Sequence, residues 1–218
     1  MTNLIYNYHW KSGSYNPNGI KEINVPNDWS FDYEPDTTGN LPGQNQHFGR
    51  PRVDLVSEDF QQSPLDRQFP PNAYDNGKPI VNIYANWMPT WCRLSQSVAG
   101  DRANLIGEHN LQALVMLNVW DYWEVGSPAR YPVHEKLAGE VRLVVRQVSE
   151  TFANEWTTPW LLRVKPDDAV NYGQWINKSL HFEVPPWEVY FDLDISIEFR
   201  ARWGNQNNGL LIAQVTLE

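Results

Sequence analysis

The sequence has a single cysteine, Cys92, among 218 residues, so an internal disulfide is impossible and the redox compartment is left open. No stretch approaches the roughly 20 apolar residues that a membrane-spanning helix needs. The first ten residues have neither the basic start nor the apolar run of an export signal. We therefore expect a soluble protein that is cytoplasmic as synthesised, with no membrane partner. A place in a virus particle and a mature form cut from a longer precursor both stay open.

Basic residues are also scarce: the chain has 17 Lys and Arg but 26 Asp and Glu, so that its formal net charge is −9. This charge repels phosphates and argues against nucleic acid as a partner, and it argues equally against anionic membrane surfaces. The five histidines have no companions at metal-ligand spacing. No phosphate-binding loop, nucleotide fingerprint or nucleophile elbow occurs. The sequence therefore predicts no metal and no cofactor.

Helical periodicity is nearly absent, and the one helix candidate runs over the short segment Ser149 to Glu155. Alternation of apolar and polar residues is frequent and predicts strands, most clearly from Asp192 to Trp203. Leu111 to Trp120 is apolar on nearly both faces and is predicted to be a central strand. Long segments rich in Pro, Gly, Asn and Gln separate the strands. We predict one domain over residues 1–218, an all-β jelly-roll β-sandwich of two antiparallel sheets with long loops.

Aromatic residues are abundant, with eleven Trp, ten Tyr and eight Phe in a chain whose mean hydropathy is −0.55. Sugar rings present an apolar C–H face and a hydroxyl edge, so flat aromatics beside planar polar side chains suit them. If three predicted loops meet at one rim, they form such a platform. The alternative is that these tryptophans belong to the core or cap the sandwich ends. The candidate ligand-binding residues of the three loops are Trp87, Trp91, Trp120, Tyr122, Trp123, Trp156 and Trp160, with Asn86, Arg93, Asp121 and Glu124 as polar neighbours.

Two arginines stand out in this acidic chain because they lie in a loop rich in hydrogen-bonding side chains, Gln44 to Arg52. Arg50 and Arg52 could hold a ligand hydroxyl or carboxylate in a bidentate manner. The alternative is an internal ion pair that fixes the long loop. Both interpretations stay open from the sequence.

Several short motifs together resemble carbohydrate-binding modules of the galactose-binding-like jelly-roll family. Asn3 to Asn7 resembles their N-terminal strand, and Val25 to Trp29 resembles their Pro-x-x-Trp segment. Leu94 to Val98 is similar to their Leu-x-Gln-x-Val strand, and Ile195 to Leu217 is similar to their closing strands. The resemblance implies a jelly roll that binds a glycan, with exposed aromatics near Val119 to Trp123.

One departure concerns the structural Ca²⁺ of those modules, which is held partly by a carboxylate on the last strand. Ile212 to Val215 stands at the matching place and has no carboxylate. Calcium requires several oxygen ligands, preferably charged. The resemblance therefore does not extend to this metal.

Three hypotheses of function follow. The leading one is a non-catalytic module that recognises a glycan. The second is a structural or assembly protein, such as a virion decoration or appendage subunit, which binds a protein scaffold and could form a homo-oligomer. The third is a jelly-roll glycoside hydrolase that uses Asp192, Asp194 or Glu198, since carboxylates two residues apart on a strand are about 6.6–6.8 Å apart at the backbone. A solvated strand face explains the same carboxylates without chemistry, so we expect no enzyme.

Overall fold

The computed structural model describes residues 3–35, 51–56, 79–84, 90–99, 102–119, 139–149, 153–164, 175–186, 190–201 and 208–218. Within these ranges the chain is almost entirely β-structure, with one helical turn, α1 (Arg102–Leu105), and one 3-10 turn (Pro17–Gly19). No helix in the described ranges is long and apolar enough to cross a membrane. The strands are β1 (Ser14–Tyr15), β2 (Val25–Pro26), β3 (Ser30–Pro35), β4 (Arg52–Val56), β5 (Ile80–Tyr84), β6 (Thr90–Val98), β7 (Gly107–Val119), β8 (Gly139–Val148), β9 (Ala153–Thr157), β10 (Leu161–Val164), β11 (Ile176–Val184), β12 (Asp192–Ala201) and β13 (Asn208–Leu217).

The strands form two large antiparallel sheets and the small β1–β2 pair. The six-stranded sheet has the order β3-β6-β12-β8, and β9 and β10 both pair with the far side of β8. The five-stranded sheet has the order β4-β5-β13-β7-β11. From β5 to β8, and again from β11 to β13, consecutive strands alternate between the sheets, as in a jelly roll. The predicted all-β jelly-roll sandwich is confirmed.

The core lies between the two sheets, and strand β12 shows how the sequence determines it. Its apolar residues alternate with polar ones, so one complete face is apolar, and that face is buried. The predicted central strand also agrees with the structure, because β7 buries Val115 inward and Met116 outward. The buried inward residues of β12 are Leu193, Ile195, Ile197 and Phe199.

Two local predictions are wrong. The second half of the predicted helix from Ser149 to Glu155 belongs to strand β9, because pairing with β8 overrides its weak helical propensity. The segment Asn3 to Asn7, which resembles an N-terminal strand, forms no strand in the structure. It nevertheless lies against β13, since the backbone N–H of Leu4 donates to the carbonyl of Leu217 at 3.0 Å.

Trp10 links the N-terminal segment to the last strand. The register of β13 against β7 shifts between Ile212 and Gln214, which marks a bulge. The indole N–H of Trp10 donates to the carbonyl of Ile212 at 3.0 Å, and the ring meets Trp29 edge-on at 5.2 Å between centroids. With 1% of its surface exposed, Trp10 is a core residue.

We predict that Trp10→Ala lowers the free energy of unfolding by about 3–5 kcal/mol, because it opens a cavity and removes the donor to Ile212. The measurement is urea unfolding followed by far-UV circular dichroism. Tyr6→Ala is the matched control, since Tyr6 is an aromatic of the same segment that is 63% exposed, and it should change stability by under about 1 kcal/mol. Equal urea midpoints for Trp10→Ala and the parent protein would contradict this role.

Candidate ligand-binding site

The outward face of the six-stranded sheet is polar because the strand alternation that buries one side exposes the other. On β12 this face presents Asp194, Ser196, Glu198 and Arg200. The strand register places rows of side chains side by side across the sheet. One row is Asp32, Arg93, Glu198 and Arg142, and the next is Glu34, Trp91, Arg200 and Glu140.

Glu198 is fully buried although it lies on this outward face. The Nε and terminal nitrogens of Arg142 both lie 2.6 Å from its Oε2, and the indole nitrogen of Trp91 lies 3.4 Å from the same oxygen. A terminal nitrogen of Arg146 lies 3.4 Å from Oε1. Two guanidinium groups and an indole N–H therefore compensate the buried carboxylate.

Two ion pairs run lengthwise over the middle of this face. Arg93 pairs with Asp194, and Arg146 pairs with Glu198. In each pair, one residue lies on one side of Ser196 along the strands and the other lies on the opposite side, so each pair spans Ser196. Ser196 is consequently only 1% exposed. Burial raises the pKa of Asp194, and the guanidinium groups of Arg93 and Arg146 oppose that shift. The centre of the face is thus closed by side chains, and an open site must lie at its border.

Trp160 lies between two arginines of the same face. Its ring centroid is 4.5 Å from the guanidinium carbon of Arg142 and 4.4 Å from that of Arg200. Both distances are within the range of cation–π attraction. Arg200 is also the cross-strand neighbour of Trp91. Trp91 and Trp160 therefore lie beside the same group of charged side chains.

An open groove of about 500 Å³ lies at the border formed by β3, which is the edge strand of the sheet. We call it the β3 groove. Its volume falls in the range of about 300–1,000 Å³ that is usual for small-molecule sites. It is lined by Pro17, Asn18, Ile20, Ile23, Phe31, Asp32, Tyr33, Glu34, Trp91 and Arg93.

The β3 groove combines aromatic surface with two exposed carboxylates. The rings of Phe31 and Tyr33 stack with 6.1 Å between centroids and 28° between planes. Asp32 and Glu34 are exposed, and no described residue forms an ion pair with either. Arg93 is neutralised by Asp194. The groove therefore offers flat apolar surface, two strong acceptors and a small net negative charge.

The structure separates the predicted tryptophans. Trp91 lines the β3 groove, but it lies on strand β6 and not in a loop as predicted. Trp156 also lies on a strand, β9, and packs toward Phe182 between the sheets, away from Trp91 and Trp160. The predicted single platform is thus wrong for Trp156. Outside the described residues lie Trp87, Trp120, Tyr122, Trp123, Asn86, Asp121, Glu124 and Arg50.

Arg52 forms an internal ion pair. Its Nε lies 2.8 Å from Asp54 on strand β4 of the five-stranded sheet, the other sheet from Trp91. Burial raises the pKa of Asp54, and Arg52 opposes the shift. Of the two interpretations of this arginine, the ion pair is the one that the structure shows, although it fixes a strand and not a loop.

The three carboxylates proposed for hydrolysis are already engaged. The hydroxyl of Tyr190 donates to Asp192 at 2.9 Å, Asp194 pairs with Arg93, and Glu198 pairs with two arginines. The described residues also contain no group of three or more His, Cys, Asp or Glu that could hold a metal ion.

Cys92 is buried, and burial raises the pKa of its thiol well above the usual range.

The groove residues on β3 were missed by the sequence interpretation. Phe31, Asp32, Tyr33 and Glu34 alternate aromatic and acidic side chains with a period of two, which is the pattern of a strand with one apolar and one charged face. This signal was present in the sequence. The segment contains no tryptophan, and the predicted binding residues were mainly tryptophans.

We predict that Glu198→Gln lowers the free energy of unfolding by about 3 kcal/mol, because it leaves two arginines facing a neutral amide. Glu155→Gln is the control, since the carboxylate of Glu155 is 2.7 Å from Arg146 but 45% exposed, and its loss should cost under about 1 kcal/mol. Chemical denaturation of both variants measures the difference. Equal effects of the two substitutions would show that burial of Glu198 does not matter.

A scan against family models of proteins gives no match, and a search of curated protein sequences gives none either. Solved structures do match. A Stig cyclase from Fischerella sp. TAU, in complex with (3Z)-3-(1-methyl-2-pyrrolidinylidene)-3H-indole, aligns over 98% of this chain and 94% of its own, with 14% identity and a TM-score of 0.51. A xylan-binding domain from Paenibacillus barcinonensis aligns over 89% and 86%, with 11% identity and a TM-score of 0.41. A family 16 carbohydrate-binding module aligns over 68% and 82%, with 14% identity and a TM-score of 0.41. At such identities the likeness to the cyclase shows the fold alone.

Proposed function

We propose that the chain is a non-catalytic glycan-binding module whose ligand occupies the β3 groove. The observation that carries the proposal is that Trp91 lies beside two exposed carboxylates, Asp32 and Glu34, which no described residue pairs with, along the edge strand β3. Trp91 presents flat surface for the C–H face of a sugar ring on the sheet face that also carries Asp32 and Glu34. Asp32 and Glu34 accept hydrogen bonds from hydroxyl groups, and the Asn18 amide both donates and accepts.

The environment of the carboxylates supports the proposal of binding without bond cleavage. A glycosidase differentiates two carboxyl groups, usually by placing the acid in an apolar pocket. Asp32 and Glu34 are both exposed on the same strand face, so neither is enclosed in an apolar pocket. The carboxylates nearby, the half-buried Asp194 and the buried Glu198, are held by arginines. These features favour recognition, and the absence of catalysis remains part of the proposal.

We predict that the double substitution Asp32→Asn/Glu34→Gln weakens glycan binding about tenfold, since it removes two charged acceptors and keeps the shape of the groove. The probes are hexasaccharides of β-1,4-linked glucose, xylose, mannose and N-acetylglucosamine and of β-1,3-linked glucose. Isothermal titration calorimetry gives Kd for each. Glu218→Gln is the control, because Glu218 is an exposed carboxylate directly after β13, in the other sheet.

Two results would contradict the proposal in different ways. If none of the five hexasaccharides binds a sample whose unfolding is cooperative, glycan binding is rejected for this class of sugars. If one binds with the same Kd in the double variant and in the parent protein, glycan binding stands and its place in the β3 groove is wrong.

We also predict that hexagalacturonate binds at least about tenfold more weakly than the best neutral hexasaccharide. The net charge of −9 and the exposed carboxylates of the groove both repel an acidic glycan. The difference should shrink as NaCl is raised from 20 to 500 mM, because salt screens the repulsion. Equal or tighter binding of hexagalacturonate would contradict the electrostatic description of the groove.

A further inference from the structure

A second groove, of about 400 Å³, lies where strand β9 of the six-stranded sheet approaches strand β11 of the five-stranded sheet. It is lined by Asn154, Glu155, Trp156, Glu183 and Pro185. We call it the β9–β11 groove. It contains Trp156, the tryptophan that does not lie beside Trp91 and Trp160. None of its lining residues lines the β3 groove.

Trp156 is fixed in this groove by packing on one side. Its ring centroid lies 5.4 Å from that of Phe182, with 38° between the planes. The side chain is only partly buried, and its remaining surface lines the groove beside Pro185. A rigid indole with a proline next to it provides the apolar half of a sugar contact at little cost in conformational entropy.

Polar groups surround this aromatic surface. The amide of Asn154 donates to the side-chain oxygen of Gln147 at 3.1 Å, which holds Asn154 in place. Gln147 is 0% exposed, and its amide nitrogen has no hydrogen-bond partner among the described residues. Such a buried, unsatisfied donor behind the groove is costly unless a further acceptor reaches it.

The β9–β11 groove has a small net negative charge, because its lining includes two carboxylates and no basic side chain. Arg146 neutralises Glu155 at 2.7 Å, so that Glu183 is the one carboxylate lining the groove without a described ion-pair partner. One free carboxylate and one amide beside an indole suit a ring that carries hydroxyl groups.

We infer that the β9–β11 groove is a second glycan-binding site, so that each chain binds sugar at both edges of its six-stranded sheet. This inference rests on the proposed function of the β3 groove. Four strand-to-strand steps separate β3 from β9, which is about 19 Å at the usual strand spacing. Two sites at this distance engage two segments of one polysaccharide or two separate chains, and avidity exceeds the affinity of either site.

The test counts bound ligand per chain. Equilibrium dialysis with the tightest-binding of the five hexasaccharides should give about two per chain for the parent protein. Asp32→Asn/Glu34→Gln should weaken one site and Trp156→Ala should remove the other. Because Trp156→Ala could disturb packing on Phe182, Glu183→Ala is the second variant, with a predicted fivefold or greater weakening of the same site. Asn177→Ala, an exposed position on the same face of β11, is the control and should leave both sites unchanged.

The outcomes separate the two proposals. Two sites, one of them sensitive to Glu183→Ala and insensitive to the β3 substitutions, support the inference. A single site that responds only to the β3 substitutions overturns the inference and leaves the proposed function intact. No binding of any of the five hexasaccharides overturns both.

Discussion

The buried carboxylate of Glu198 is the constraint around which the polar face of the sandwich is arranged. Moving an isolated charge out of water costs several kcal/mol, so a carboxylate with no exposed surface requires close partners. Arg142 supplies two nitrogens at 2.6 Å, while Arg146 and the indole of Trp91 complete its surroundings. From Arg142 the network extends to the ring of Trp160 and, on its other side, to Arg200. The orientation of at least three strands, β6, β8 and β12, is thereby coupled on their outward faces as well as in the core.

The same network determines what is left for a ligand. Trp91 has its nitrogen directed to Glu198, which positions its ring as a wall of the β3 groove. Arg93 is paired with Asp194, and it therefore contributes no free positive charge there. Edge strand β3 is left with aromatic rings and two carboxylates that no described residue neutralises. Closure of the centre of the face thus leaves its border as the part that is open to a ligand.

The fold was accessible from the sequence because strand alternation is a local property. Asp192 to Trp203 displays it directly, and β12 buries the predicted apolar face. The site was less accessible because its contacts are long-range: Glu198 meets Arg142 across 56 residues and Trp91 across 107. The spacing of Trp156 and Trp160 indicated one shared loop, yet Trp156 is on a strand and points to the other side of the sheet. Only strand register decides such a question, and register depends on partners elsewhere in the chain.

The central claim, that a sugar lies against Trp91 in the β3 groove, is tested most directly by ¹⁵N NMR of the tryptophan indole groups during titration with the tightest-binding hexasaccharide. The Trp91 signal, assigned by its absence in Trp91→Phe, should shift progressively and saturate, because its ring lines the groove. The Trp10 signal should stay in place, since that indole is buried against Ile212. A Trp91 signal that does not move at saturating ligand, while other indole signals do, would contradict the account.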